Sequence, residues 1–332
     1  MKHSKITTLV IGSLILLLLC GLASLAFGAR IVGFDDVINA IIHSERSTLN
    51  EIVVSERIPR TVFGLLAGAA LGVSGALMQA ITRNPIADPS ILGVNTGASL
   101  FVVIGIAFFN LGTASGYIIF ALAGATITSI FVYGIGSMGY GGATPIKLAL
   151  AGTATSAALT SLVNAIILPR TEVMNAFRFW QVGSIGGATW KGIAAVLPFI
   201  IIGLGIAIII SPALDTLALG DDAAVGLGVR TGVVRLVGAI AGILLCGATT
   251  ALAGPIAFIG LMVPHVMRLF CGPNLRLIIP MSALGGAILL TISDVLGRLI
   301  GSPSELEAGI ITAFLGAPIL IIIAKKAKVK AL

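Results

Sequence analysis

Apolar runs about 20 residues long recur along most of the chain, separated by short breaks of glycine, proline or charged residues. A helix needs about 20 apolar residues to cross the hydrocarbon core of a bilayer. The pattern therefore predicts an all-α polytopic membrane protein, with about ten transmembrane helices in a single domain over residues 1–332. The expected spans are 6–28, 60–82, 91–109, 116–137, 145–168, 190–210, 233–253, 256–270, 277–299 and 306–324.

Two of these runs leave an alternative open. The first follows a basic start, and Ser24 with Ala26 could mark the cleavage site of a signal peptide. We expect an uncleaved first span instead, because the run is longer than the usual apolar core of a signal peptide. The eighth run directly follows Pro255 and contains Pro264, so a broken or re-entrant segment is an alternative to a full span there.

Composition agrees with a membrane protein. Hydrophobic residues make up 57% of the chain, charged residues 10%, and the mean hydropathy is +1.12. The net charge of +7 does not indicate nucleic-acid binding, because the basic residues lie singly between apolar runs and are densest in the KKAKVK tail. Cys20, Cys246 and Cys271 lack the spacing of metal ligands, and we expect them to pack as small hydrophobic residues.

Basic residues also bear on the topology. With the N-terminus inside, twelve of the 20 fall on the cytoplasmic side and eight on the outer side. This bias is modest, but an even number of spans and a lysine in each tail agree with it, so both termini are expected in the cytoplasm. The inner set is Lys2, Lys5, Arg83, Lys147, Arg230, Arg235, Arg268, Arg276, Lys325, Lys326, Lys328 and Lys330.

A stripe of glycine marks the second span. Gly64, Gly68 and Gly72 recur every four residues and so share one helix face, which favours close packing of another helix over a substrate-lining role. Pro59 is placed to begin this helix in its first turn. Arg57 and Arg60, three residues apart at the outer end of this span, could equally be interfacial residues whose charged ends reach the membrane surface.

The remaining ionisable residues bear on helix pairing, helix capping and metal binding. Asp294 precedes Arg298 by four residues in the ninth span, a spacing that favours a local ion pair, and the alternative is that Arg298 faces outward to meet a partner. Asp88, in the turn before the third span, is placed to cap that helix. His265 has no second metal ligand near it in the sequence, so we expect no metal site.

The segment LALGDDAAVGLGVR, residues 217–230, is polar in an otherwise apolar chain and falls on the predicted cytoplasmic side. It predicts a short helix, limited by Gly220 and Gly228 and capped by Asp221. The chain contains no Walker lysine loop, nucleophile elbow, HExxH motif or paired catalytic carboxylates, so we expect neither enzymatic activity nor catalytic residues.

Several motifs together resemble the permease subunits of the FecCD-type, or type II, ABC importers for iron-siderophores, haem and cobalamin. They occur in the order of that family and cover most of the chain. The motifs are RIPRT (57–61), GALMQ (75–79), RNPIADPSILGVNTGA (83–98), FWQVGSI (179–185), LGDDAAVGLGV (219–229), GPIAFIGLMVPHVMR (254–268) and TAFLGAPI (312–319).

The resemblance implies a bundle like that of the cobalamin-importer permease, in the bacterial plasma membrane. It implies a second permease subunit, either the same chain or a paralogue, with the translocation path at their interface. It also implies two ABC ATPase subunits, which use ATP and Mg, and an extracytoplasmic binding protein. This chain itself is expected to bind no cofactor.

Site residues follow from the same resemblance. A cytoplasmic segment, residues 212–230, matches the coupling helices that dock on the ATPase. Arg57, Arg60 and Arg298 match arginines that meet glutamates of the binding protein. Arg170 and Arg178 lie where the family places an outer gate, and they could add to docking or contact an anionic ligand. The coupling residues are Leu219, Gly220, Asp221, Asp222, Ala223, Ala224 and Gly228.

The motifs say less about which substrate is transported than about how it is transported. RFWQVGS, residues 178–184, is more similar to siderophore permeases than to the cobalamin permease, which favours ferric siderophores and leaves haem or cobalamin as alternatives. An ion-coupled secondary transporter is a further alternative. It requires ionisable residues buried at mid-membrane in broken helices, and Asp294 is the plausible candidate in this sequence.

Overall fold

A computed structural model of the protein describes residues 3–42, 48–139 and 143–326. The regular elements in these ranges are helices, so the prediction of an all-α chain is confirmed. They are α1 (His3–Ala26), α2 (Phe34–Ile42), α3 (Leu49–Thr82), a 3₁₀ helix (Pro89–Leu92), α4 (Val94–Phe109), α5 (Ala114–Ser137), α6 (Pro145–Ile167), α7 (Thr171–Gln181), α8 (Trp190–Leu217), α9 (Asp221–Gly226), α10 (Thr231–Ala253), α11 (Ile259–Cys271), α12 (Leu275–Ile300) and α13 (Ala308–Lys326).

Seven helices of the described chain are long and apolar enough to cross a membrane, namely α1, α3, α5, α6, α8, α10 and α12. Three shorter apolar helices, α4, α11 and α13, occupy the positions of the other predicted spans. The eighth run thus forms one short helix, α11, which begins after Pro255 and continues through Pro264. Of the basic residues used for the topology, Lys2, Arg46, Lys328 and Lys330 lie outside the described residues.

The central helix is α3, which packs most extensively against α12 and also contacts α8, α10 and α11. A Cβ atom at Gly68 would lie 2.3 Å from the carbonyl oxygen of Gly286, and one at Gly72 would lie 2.1 Å from that of Ser282. Gly64 faces the Ile185 side chain instead. The α3 and α12 backbones therefore touch along a face that only glycine permits.

The prediction that Pro59 begins this helix is wrong. Helix α3 begins ten residues earlier, where the Thr48 side chain accepts from the backbone N–H of Glu51 and the Glu51 side chain accepts from that of Thr48. This reciprocal capping box satisfies two donors that a helix start otherwise leaves free. Pro59 lies in the helix interior, as do Pro198 and Pro212 of α8, which runs past its predicted end to Leu217.

The sequence predicted that Asp88 caps α4, and this prediction is wrong. Asp88 caps the 3₁₀ helix instead. Its side chain accepts from the backbone N–H of Ser90 at 2.9 Å, and α4 begins after Gly93, whose φ is 72°. The reason is Pro89, which starts a separate short turn before the longer helix. Burial raises the pKa of the Asp88 carboxyl, and the bond from Ser90 opposes that shift.

Candidate functional site

The segment 212–230 joins α8 to α10 and contains α9, so the prediction of a short helix between two spans is confirmed. Gly220 precedes α9 with a φ of 115°, and Gly228 follows it with a φ of 83°. Both values lie where a side chain is strained, which explains why glycine bounds the helix on both sides.

Asp221 does not cap α9, contrary to the sequence prediction. The N-cap is Gly220, with no side-chain hydrogen bond, and the Asp221 carboxylate accepts two bonds from Nη2 of Arg235, at 2.8 and 3.0 Å. The Arg235 side chain is 7% exposed and that of Asp221 is 43% exposed. A buried guanidinium needs a carboxylate partner more than a helix start needs a cap, because unpaired buried charge is costly.

The two faces of α9 differ in what they contact. Ala224 is fully buried inside the chain, so it lies on the inner face and not on the exposed one where a docking partner would sit. Leu219, Val225 and Leu227 are 68%, 61% and 67% exposed. Asp222 and Ala223 are exposed beside them. We call Leu219, Asp222, Ala223, Val225 and Leu227 the exposed face of this segment.

The same segment forms polar contacts with α10 and α12 and lies close to the residue that follows α3. Besides the pair with Arg235 of α10, Asp215 accepts from the backbone N–H of Leu275 at 2.6 Å, at the start of α12. Asp215 also lies 3.8 Å from Nε of Arg276. A Cβ atom at Gly220 would lie 3.6 Å from Nη1 of Arg83, directly after α3.

An arginine cluster, made of Arg57, Arg60, Asp294, Arg298 and Glu305, lies at the other end of α3. Arg60 and Thr82, at the C-terminal end of α3, are about 30 Å apart along the helix axis, which is close to the thickness of a bilayer core. Nε of Arg60 lies 3.1 Å from both Asp294 oxygens, its Nη2 lies 2.7 Å from Oδ1, and its Nη1 donates to Glu305 at 2.6 Å.

Arg298 points into the chain. Its Nη2 lies 3.0 Å from Oδ2 of Asp294, so the predicted local ion pair is present. Its Nη1 donates at 2.9 Å to the carbonyl oxygens of Ser24 and Phe27, and the side chain is 1% exposed. The outward orientation considered from the sequence is therefore absent, because the C-terminal end of α1 covers this arginine and accepts from its Nη1, although its Nε is buried without a hydrogen-bond partner among the described residues.

Arg57 is held in the same way. Its guanidinium donates to the carbonyl oxygens of Leu25, Ala26 and Arg30, at 3.0, 3.3 and 2.7 Å. All three arginines of the cluster are buried and bind atoms of this chain. Their role in docking a binding protein stays a prediction.

The two gate candidates lie at the start of α7 and within it, and the span pattern did not predict this helix. Arg170 precedes α7, stands 4.9 Å from the ring centroid of Phe108, and lines a cavity of about 580 Å³ together with Asn110 and Glu172. Arg178 is exposed near the other end of the helix. Two residues eight positions apart on a helix are about 12 Å apart along its axis, so they form no common site by themselves.

Helix α6 carries a feature that sequence reasoning missed. Only 11% of its apolar stretch is buried inside the chain, and its hydropathy of 1.4 is the lowest of the seven long apolar helices in the described chain. Exposed polar side chains follow one face at helical spacing. They are Thr153, Thr160, Ser161 and Asn164. The polar periodicity of 153, 160, 161 and 164 was the available signal, since a lipid-facing stripe is expected to be apolar.

Comparisons with known proteins agree with this architecture. Residues 16–326 match the model of the FecCD transport family. The chain is 42% identical over 315 residues to the ferric enterobactin transport system permease protein FepD of Escherichia coli (strain K12), covering 95% of this chain and 94% of FepD. It is 40% identical to the Fe(3+)-citrate import system permease protein YfmD of Bacillus subtilis (strain 168), covering 98% and 97% of the two chains.

A solved structure is similar over the same length. It is an inward-facing conformation of a metal-chelate type ABC transporter, with a TM-score of 0.82 at 25% identity, covering 97% of this chain and 99% of that one. The chain belongs to the FecCD transport family.

Proposed function

We propose that this chain is the permease subunit of an ATP-driven ABC importer for ferric siderophores in the bacterial plasma membrane. The observation that carries the proposal is its identity of 40–42%, over nearly its full length, with the enterobactin and ferric citrate permeases. Both of those cargoes are iron chelates. Haem and cobalamin remain the alternative cargoes, since the family resemblance includes them.

The segment 212–230 is the coupling site in this proposal. Leu219, Val225 and Leu227 expose large apolar side chains on a segment outside the membrane helices, where water would otherwise contact them. A protein surface that covers them accounts for their exposure better than lipid does. Two ATPase subunits, which bind ATP and Mg, take this role, and the permease itself hydrolyses nothing.

The translocation path lies along α6, at the interface with a second permease subunit. A helix that is barely buried in its own chain and yet polar on its free face is unfavourable in lipid. The exposed Thr160 and Asn164 support a water-filled path or a subunit contact on this face. The second subunit is a copy of this chain or a paralogue, and both termini lie in the cytoplasm.

The arginine cluster and α7 belong to the outer side. An extracytoplasmic binding protein docks there, with carboxylates that are attracted by the excess of arginine. Arg57, Arg60 and Arg298 exceed Asp294 and Glu305 by one positive charge. Arg170 and Arg178 supply the exposed part of this positive surface. Asp294, the candidate for ion coupling, is paired with both Arg60 and Arg298 at the end of α12, and this arrangement disfavours a secondary transporter.

Uptake by proteoliposomes tests the proposal. The vesicles contain this chain, its partner permease, the ATPase and the binding protein, and they receive radio-iron bound to a siderophore with and without ATP inside. Uptake that requires ATP supports the proposal, whereas uptake driven by an ion gradient without ATPase refutes it. Transport of labelled haem or cobalamin in place of the siderophore would keep the mechanism and change the cargo.

A further inference from the structure

We propose that Arg235 is a positioning residue, which holds α9 on α10 through the Asp221 carboxylate so that both helices move together. This inference rests on the proposed coupling function of segment 212–230. It assigns to Asp221 a role inside the permease and leaves contact with the ATPase to the exposed face.

The geometry of the pair is specific. Both carboxylate oxygens of Asp221 accept from the same nitrogen, Nη2 of Arg235, at 2.8 and 3.0 Å. The Arg235 side chain is 7% exposed, and its Nε is buried without a hydrogen-bond partner among the described residues. Asp221 is therefore the acceptor that keeps a buried guanidinium in place, and its removal leaves that charge poorly compensated.

Helix α9 depends on such contacts for its position. It has only six residues, too few for a helix to be stable on its own in water. Ala224 provides a buried apolar contact, which is non-directional and tolerates sliding or rotation. The ion pair is directional and fixes the register. Buried ion pairs add little net stability compared with apolar packing, and fixing an arrangement is their better attested use.

Helix α10 can pass on a displacement of α9. It packs against α3, α4, α5 and α8. Close to its middle, Ser74 of α3 donates to the carbonyl oxygen of Gly242 at 2.8 Å. A Cβ atom at Gly242 would lie 2.2 Å from Cε of Met78. Arg235 lies two turns before Gly242, so a shift of α9 at the membrane surface reaches the central helix through one rigid element.

Two substitutions and a matched control test the assignment. Asp221→Asn and Arg235→Gln each remove the charge pair, and Asp221→Glu retains a carboxylate. Arg276→Gln is the control, because it removes an arginine that is 63% exposed and stands 3.8 Å from its carboxylate. The first measurement is hydrogen exchange of the full chain in lipid nanodiscs. It follows amides bonded within this segment, such as Ala224 N–H to Gly220 O and Val229 N–H to Ala224 O.

We expect exchange of these amides to accelerate about tenfold in Asp221→Asn and Arg235→Gln, as for the loss of a hydrogen bond between charged groups. Arg276→Gln should remain within about twofold of the unchanged chain, since exposed pairs contribute little. Asp221→Glu should restore most of the protection. Unchanged exchange in Asp221→Asn overturns the proposal, whatever the transporter carries.

The second measurement is ATP-driven uptake beside co-purification of the ATPase. We expect Asp221→Asn to lower uptake about tenfold, while the ATPase still binds the exposed face. Faster exchange with normal uptake overturns the positioning role. A different result would show that segment 212–230 is not the coupling site. In that case Val225→Asp would co-purify with the ATPase as well as the unchanged chain does.

Discussion

Asp294→Asn is the substitution that examines the arginine cluster most directly. The carboxylate is 1% exposed and holds Arg60 and Arg298 together, at 2.7 and 3.0 Å. Asparagine has nearly the same shape, so packing is kept while the negative charge is lost. The two guanidinium groups would then face each other in a buried site with Glu305 as the remaining carboxylate of the cluster.

The size of the effect follows from burial. Breaking a buried pair by removing one partner costs about 3–5 kcal/mol. For 332 residues the entropy of unfolding is about 0.7 kcal/mol per degree, so the midpoint of thermal unfolding should fall by about 4–7 °C. Glu305→Gln is the matched control, because it removes the other carboxylate from the same Arg60. Glu305 is 40% exposed, so a change of about 1 °C is expected.

The assay is thermal unfolding of both purified variants in the same detergent and salt, read by loss of the monodisperse protein in size-exclusion chromatography. If burial decides the contribution of each ion pair, the unfolding midpoint should fall clearly more for Asp294→Asn than for Glu305→Gln, although both carboxylates pair with Arg60. Equal shifts for Asp294→Asn and Glu305→Gln would refute the reasoning, because burial would then not decide the contribution of either carboxylate.

Three further outcomes are expected. Gly72→Val should lower the yield of folded protein, because α3 and α12 must separate. Gly12→Val should leave the yield unchanged, since a Cβ atom at that position meets nothing within 4 Å. Equal size-exclusion yields for Gly72→Val and Gly12→Val would contradict this prediction. Val225→Asp should abolish co-purification of the ATPase, and normal co-purification would count against the exposed face. Arg178→Ala should weaken binding-protein docking at low ionic strength but not at high salt, and a salt-independent effect would exclude a long-range charge contribution.

Much of the fold could be predicted because hydrophobic length is a strong signal. Bilayer thickness sets how long an apolar run must be, so the ten runs correspond to seven long and three shorter apolar helices of the described chain. The sequence could not match Gly260 of α11 to Gly75 of α3, or Gly286 of α12 to Gly68, since helix pairing is a property of the folded bundle. Gly68 shows the limit, because spacing gave its face but not the carbonyl of Gly286 that it meets.

Helix starts in polar loops were harder to predict. Pro59 carries a well-known signal for a first turn, and the capping box at Thr48 and Glu51 outweighed it. The amphipathic helices α2 and α7 escaped a search for apolar runs because each is shorter than a span. The orientation of Arg298 could also not be predicted from the sequence, since it depends on carbonyl groups in and just after the last turn of α1, more than 270 residues away.

Short helices limit what a match of residues can say about function. Six residues give less than two turns, so α9 has no periodicity from which to tell its inner face from its outer one. The family motif gave Asp221, Ala224 and their neighbours as one set of coupling residues. The structure separates them into residues that attach α9 to the permease and residues that are exposed. Arg235 places Asp221 in the first group, although the sequence had used Arg235 only to assign topology. Substitutions within one matched motif should therefore separate into two phenotypes, one of loose attachment of α9 and one of lost ATPase contact.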